Sequence, residues 1–369
     1  MKLQILQENL EKAISLTSRF ASSKAQLPIL GNILITTDKS KIFVSSTNLE
    51  ISASVQIGAK IEEEGEISIP SKVMSELISN LSKETISLSS EKEQLKISTS
   101  SFSSTILGMN SSDFPKIQNS IDEENSISLP KNELTKGLSQ VIFATSTDET
   151  RPILTGVLFI LSEDTLILVA TDGFRLSQKR ISLKDQNKNI QKVVIPKNIL
   201  NEVSRLGEEE ENILFGSQEK EKQVVFGNSN VTLTSRLLEG DYPDFEKIIP
   251  KNSTLKVLVD KEEFLRAVKL ASIFAREAAN VIKLKISKDS IKITSESGQS
   301  GNQEAKVDAK VEGLTGEFEI AFNYKFVEDF LHSVPSEEIK IEFSTVDKAG
   351  IFTDSSDSSY LHLIMPVKV

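Results

Sequence analysis

The chain contains no cysteine and only two histidines, His332 and His362. The first absence excludes disulfides, thiolate metal sites and cysteine nucleophiles. The second leaves little for a transition-metal centre: neither histidine lies at a metal-ligand spacing, and each reads as a surface or helix residue. No apolar run approaches the length that spans a bilayer. The start, Met1-Lys2-Leu3-Gln4, lacks the apolar stretch and small-residue cleavage site of a signal peptide, which favours the cytoplasm. Also missing are an Asp-x-Asp-x-Asp-Gly calcium loop, a phosphate-binding glycine motif and a Gly-x-Ser-x-Gly elbow. The best case for an enzyme is a hard-cation site built on Asp172, Asp241 and Asp244. With no motif behind it, the reading is a non-catalytic protein that needs no metal or cofactor. A β-rich adhesion or scaffold protein would explain the strands, but not the cations that recur on the helices.

The 369 residues are 26% charged and 38% hydrophobic, an ordinary soluble balance for two or three domains. The net charge is −10. An acidic surface repels phosphate, so a nucleic-acid role requires that the basic residues be segregated.

The chain repeats itself three times. Ile69-Pro70-Ser71-Lys72-Val73 returns as Ile195-Pro196-Lys197-Asn198-Ile199 and, more worn, as Phe322-Asn323-Tyr324-Lys325-Phe326. A second set keeps step: Leu10-Glu11-Lys12-Ala13-Ile14, Leu134-Thr135-Lys136-Gly137-Leu138 and Phe264-Leu265-Arg266-Ala267-Val268. The interval of about 125 residues fits a whole small domain, not a solenoid unit. Each third opens with an amphipathic helix (Glu8 to Phe20, Asn132 to Phe143, Lys261 to about Arg276). Alternating strands follow, then a second helix and further strands. This predicts three α+β domains with two helices each: 1–121, 122–250 and 251–369. In the first two copies Pro70 and Pro196 stand at the start of the second helix, where a missing amide costs little.

On these helices cations recur at seven or eight residues, which is one face. The pairs are Lys12 with Arg19, Lys269 with Arg276, and Lys197 with Arg205; Lys72 and Lys83 are three turns apart. Lys136, off this spacing, lies in the repeated first helix. Acidic runs fall in loops instead: Glu62-Glu63-Glu64, Glu208 to Glu211, and Asp354 to Asp357.

Four phrases, in order along the whole chain, resemble the bacterial sliding clamp family, the β subunit of DNA polymerase III. They are Leu27-Pro28-Ile29-Leu30-Gly31-Asn32, Ala170-Thr171-Asp172-Gly173-Phe174-Arg175-Leu176, Gly240-Asp241-Tyr242-Pro243-Asp244-Phe245 and Ile364-Met365-Pro366-Val367. The resemblance implies three clamp domains per subunit and a head-to-tail homodimer ring. Helices line the hole, antiparallel sheets form the wall, and duplex DNA is encircled without sequence preference. It implies DNA contacts at Lys24, Lys72, Arg151, Lys197 and Arg205, which join Lys12, Arg19, Lys136 and Lys269. The family's tyrosines after the position of Arg151 are here Pro152 and Ile153, and its upstream glutamine is Asp148. The resemblance also implies an apolar pocket for short peptides of the polymerase, the clamp loader and other partners. Its positions are Leu154, Thr171, Gly173, Phe174, Arg175, Leu176, Pro243, Lys247, Ile248, Phe326, Leu363, Ile364, Met365 and Pro366, with Arg175 expected at the rim. Phe102, Ile273 and Phe274 match subunit-interface positions.

Overall fold

The computed structural model describes residues 1–22, 26–183, 191–206, 211–218 and 221–368. Six α-helices are numbered here in chain order: α1 (Gln7–Thr17), α2 (Ser71–Ser79), α3 (Lys131–Val141), α4 (Lys197–Val203), α5 (Lys261–Ala275) and α6 (Tyr324–Ser333). Two fall in each third, as the repeat predicts. α1 and α3 are each extended by a short 3-10 turn, Ser18–Phe20 and Ile142–Ala144. Among the described residues no helix is long and apolar enough to cross a membrane.

The helices form where the apolar period is 3.6 and one stripe is buried. α1 buries Leu10, Ala13, Ile14 and Thr17, and α5 buries Phe264, Ala267, Val268 and Ala271. The small residue of the repeated phrase has a packing cause. A Cβ on Gly137 would lie 3.0 Å from Ile181 and 3.1 Å from Leu168, so α3 rests directly on its sheet. Ala13 and Ala267 hold the same place and are buried. The second helices start at the repeated phrase. Pro70 and Pro196 each end a strand and precede the first helical residue. In the third copy Asn323 replaces proline and its side chain accepts the Lys325 amide, a true N-cap.

The chain divides into two compact units: Met1–Lys131 with Arg205–Leu237, and Asn132–Ser204 with Leu238–Val369. The first holds a five-stranded and an eight-stranded sheet, the second a twelve-stranded sheet. The central third contributes to both because strands pair across the thirds. In the first unit Ile51–Gly58 pairs antiparallel with Val231–Arg236, with Ile51 opposite Ser235 and Val55 opposite Val231. In the second, Arg175–Ser182 pairs antiparallel with Asp357–Ile364, with Arg175 opposite Ile364 and Lys179 opposite Tyr360. Each sheet runs on through its seam, and the apolar cores form behind it. One core gathers Leu10, Ile14, Ile42, Val44 and Met74, and another Phe264, Val268, Ile293, Phe330 and Phe352. Each such side chain removed from water is worth about 1.5–3 kcal/mol.

The second seam also carries a buried charge cluster. Lys179 is buried, and its Nζ lies 2.7 Å from Asp357 Oδ2 and 2.6 Å from Ser359 Oγ. Lys136 of α3 reaches the same Asp357 oxygen at 3.1 Å. Burial pulls the Asp357 carboxyl upward, but Lys179, Ser359 and Lys136 outweigh it and hold it well below the usual carboxylate range. Removing the carboxylate leaves Lys179 buried and unpaired. Asp357→Asn is expected to lower unfolding stability by about 3–5 kcal/mol, with part recovered in the Asp357→Asn/Lys179→Met double variant. Urea unfolding measures both, and a loss below about 1 kcal/mol would contradict a structural role for the cluster.

Candidate functional site

The strands Thr165–Thr171 and Arg175–Ser182 of the second unit are joined by a tight turn whose sequence explains its shape. Asp172 Oδ1 accepts the amides of Phe174 (2.9 Å) and Arg175 (3.0 Å). Thr171 Oγ1 accepts the Gly173 amide at 3.1 Å and donates to the Arg175 carbonyl oxygen at 2.6 Å. Gly173 sits at φ 94°, a left-handed conformation that favours glycine. The Asp172 carboxylate is therefore committed to the turn, and Asp244 pairs with Lys247 at 2.8 Å. Among the described residues no group of three or more His, Asp or Glu side chains is placed to hold a metal ion.

The turn thrusts Phe174 outward, and its ring is 62% exposed. The Met365 amide donates to the Phe174 carbonyl oxygen at 2.8 Å, which brings the chain's last segment alongside. Ile248, Met365 and Val367 are also exposed large apolar residues of this unit. Two clefts meet at Met365. One, of about 500 Å³, is lined by Lys247, Ile248, Ile249, Pro250, Ala349 and Met365, among others. The other, of about 490 Å³, includes Ala321, Val346, Met365, Pro366, Val367 and Lys368. Beneath lies a closed apolar layer of Leu176, Leu363, Phe245 and Ile351.

Arg175 is not at the rim, contrary to expectation. Its side chain is nearly buried and bonded on every side. Nε meets Asp172 Oδ2 at 3.1 Å, one Nη donates to Asp329 of α6, and the other donates to the Phe143 carbonyl oxygen at 2.6 Å. The Phe326 ring centroid stands 4.5 Å from its Cζ and that of Phe143 5.4 Å. Arg175 thus pins the turn to the end of α3 and to α6, and its charge is unavailable to a ligand. The fourteen expected pocket residues therefore sort by depth. Gly173, Phe174, Pro243, Lys247, Ile248 and Met365 are exposed, and Phe326 and Pro366 half-buried. Leu154, Thr171, Leu176, Leu363 and Ile364 are buried and form the support. Val346 was missed; its polar neighbours leave no pattern to read.

Chain comparisons agree along the full length. The family models of the DNA polymerase III beta subunit match over residues 1–118 (N-terminal domain), 128–244 (central domain) and 246–368 (C-terminal domain). The chain belongs to the DNA polymerase III beta subunit family. It is 33% identical over 366 residues to the beta sliding clamp of Staphylococcus aureus, covering 95% of each chain, and 31% identical to that of Staphylococcus epidermidis. It superposes on the DNA polymerase sliding clamp of Bacillus subtilis with a TM-score of 0.94 at 30% identity, covering 100% and 99% of the two chains. For the Thermotoga maritima beta subunit the TM-score is 0.91 at 26% identity, with the same coverage. The fold is three tandem clamp domains, and the role is that of a sliding clamp, the non-catalytic processivity subunit.

The clamp's candidate phosphate contacts are unequal. Lys12, Arg19, Lys72 and Lys269 are exposed on their helical faces, and Arg205 lies exposed just past α4. Lys197 is half-buried, with Nζ 3.5 Å from the Ser146 carbonyl oxygen. Lys136 is 43% exposed but already neutralised in part by Asp357, so it is a weaker phosphate partner than expected. Arg151 pairs with Asp148 at 3.4 Å and lies beside Gly173, at the turn. Lys83 does not extend the Lys72 face, because α2 ends at Ser79 and Lys83 binds Glu8 at 2.7 Å. Lys24 and Glu208 to Glu210 lie outside the described residues. Arg266 was overlooked: it is exposed on α5 and stands where Lys12 and Lys136 stand in the repeat.

His332 is an exposed helix residue, as expected, but His362 is not on the surface. It is fully buried in the strand behind the turn, with Nδ1 2.7 Å from Ser177 Oγ and its ring stacked on Phe330 at 5.5 Å. Burial and then the Arg175 guanidinium push its imidazole down to about 3. It stays neutral in the native clamp while the unfolded chain protonates near its ordinary 6.5. Its share of stability is complete above that value and is lost as pH falls from about 6.5 toward 3. Unfolding free energy measured across that window is expected to fall, with a shallower fall in His362→Leu; equal slopes would contradict the assignment.

Proposed function

We propose that two copies of this chain close head to tail into a ring, in the cytoplasm, around duplex DNA. Helices of three domains per copy (1–121, 122–250 and 251–369) face the DNA, and the cleft at Met365 carries the replicative polymerase, the clamp loader and other proteins bearing a short clamp-binding peptide. The observation that carries this reading is a cation recurring at one helical position in all three thirds, Lys12, Lys136 and Arg266, exposed in each and shared with Asp357 in the second, in a chain of net charge −10. On a freely acidic surface such recurrence has no use. Facing phosphate it supplies attraction without sequence preference, and enclosure does the holding. Arg19, Lys24, Lys72, Arg151, Lys197, Arg205 and Lys269 complete the proposed contacts.

Closure has a physical basis in open strand edges. Ser103–Leu107 ends the five-stranded sheet of the first unit. In the second unit, Gly301–Asp308 of the long strand Gly301–Glu312 pairs on one side with Ser290–Ser297, whereas its later residues also pair with Leu255–Asp260. Unpaired edges are templates for another chain. Each lies in a unit with exposed apolar residues on nearby elements: Phe102 and Leu107 in the first, and Leu270 and Ile273, with half-buried Phe274, on α5 of the second. A cleft of about 960 Å³ borders Leu107 and is lined by Glu66, Glu91, Glu93, Lys92 and Met109, among others. Its polar walls suit a second copy's rim better than an apolar peptide.

After loading, the protein is expected to stay on a circular duplex and to run off a linear one. Phe274→Asp is expected to sediment as a single chain and to be lost from both. Equal retention of the wild type on circle and linear DNA refutes encirclement. A peptide with glutamine, then leucine and phenylalanine, is expected to bind with micromolar affinity, and deletion of Ile364 to Val369 is expected to abolish binding. Unchanged binding by the truncated chain, followed by fluorescence anisotropy, refutes the pocket.

A further inference from the structure

The turn that presents Phe174 has a close copy in the first third. Thr47 Oγ1 accepts the Leu49 amide at 3.0 Å and donates to the Ile51 carbonyl oxygen at 2.9 Å. Asn48 Oδ1 accepts the amides of Glu50 and Ile51 at 3.0 and 2.9 Å. These are the four bonds made by Thr171 and Asp172. The third turn residue is left-handed in both, Leu49 at φ 76° and Gly173 at φ 94°. Across each seam one further amide is placed alike: Arg236 N donates to the Glu50 carbonyl oxygen at 2.9 Å, as Met365 N does to that of Phe174. The floors correspond as well. A 3-10 turn Pro28–Gly31 matches Pro152–Thr155, and buried Phe114 matches buried Phe245, though Ile117 is half-buried where Ile248 is exposed.

The rim is what differs. Where the second seam has Gly173, Phe174 and Met365, the first has Leu49, Glu50 and Arg236, all exposed. We infer that these three exchanges, not any difference in the fold of the seams, restrict peptide binding to the second seam. The inference rests on the pocket reading above. An apolar peptide side chain laid on the first rim desolvates the Glu50 carboxylate and the Arg236 guanidinium, and even a pairing of the two with each other does not repay that loss against an apolar contact. Leu49 adds a side chain where Gly173 leaves the turn bare. Leucine is also strained at φ 76°, which glycine adopts freely, so Leu49 has no backbone advantage there.

The test is isothermal titration calorimetry of the full chain with the peptide bearing glutamine, leucine and phenylalanine. The triple variant Leu49→Gly/Glu50→Phe/Arg236→Met is expected to bind two peptides per chain where the wild type binds one. The reciprocal variant Phe174→Glu/Met365→Arg, altered only at exposed positions, is expected to lose at least about tenfold in affinity, as desolvating two charges against an apolar peptide requires. A folded triple variant that still binds one peptide overturns the inference, as does a wild type that already binds two. Should the triple variant not fold, reciprocal-variant affinity within twofold of wild type overturns it too. A wild type that binds none removes the pocket reading itself, a separate and recognisable result.

Discussion

Backbone hydrogen bonds across two antiparallel seams underlie everything else in this chain. The strands Ile51–Gly58 and Val231–Arg236 join the first third to the central one, and Arg175–Ser182 and Asp357–Ile364 join the central third to the last. The clefts at Met365 lie where the second seam ends, with Met365 bonded to the backbone of Phe174. Arg175 and the Lys179–Asp357 cluster then fix the two ends of that seam through charges withdrawn from solvent. A buried ion pair adds little net stability but is costly to break, so its effect here is to allow one register and disfavour others.

The same logic separates the acidic whole from its basic parts. Carboxylates that matter to the fold are held by cations or amides, as in Asp172, Asp329 and Asp357. The cations proposed to meet phosphate mostly stand on exposed helical faces. Lys136 lies on both lists, and the structure gives it first to Asp357. Charge composition alone, at −10, points away from DNA; only placement reverses that.

Much of this was legible in the sequence, and for identifiable reasons. The repeat set the number of helices and their starts, since Pro70 and Pro196 mark the strand-to-helix step and Ala13, Gly137 and Ala267 mark close helix-to-sheet contact. The Thr-Asp-Gly turn was readable from its side chains. What was not legible was depth. Arg175 and Phe174 are neighbours in a polar turn, yet one is enclosed by Phe143, Phe326 and two carboxylates and the other is bare, because those partners come from α6 and the end of α3. His362 was misplaced for the same reason: a strand flanked by serines gives no hint of the Phe330 and Phe143 rings that cover it. Arg266 is legible only from its place among the three thirds, since the seven-residue spacing in the last third falls on Lys269 and Arg276.

The seams also bear on how the thirds came to differ. A backbone amide and carbonyl pair regardless of the side chain between them, so a joint made of such pairs tolerates almost any drift in the letters it is written with. Lys179 and Val55 stand at like distances along their seams, one charged and one apolar, and both strands pair. Three like domains can thus carry different side chains, and with them separate duties, while continuing to fit one another edge to edge.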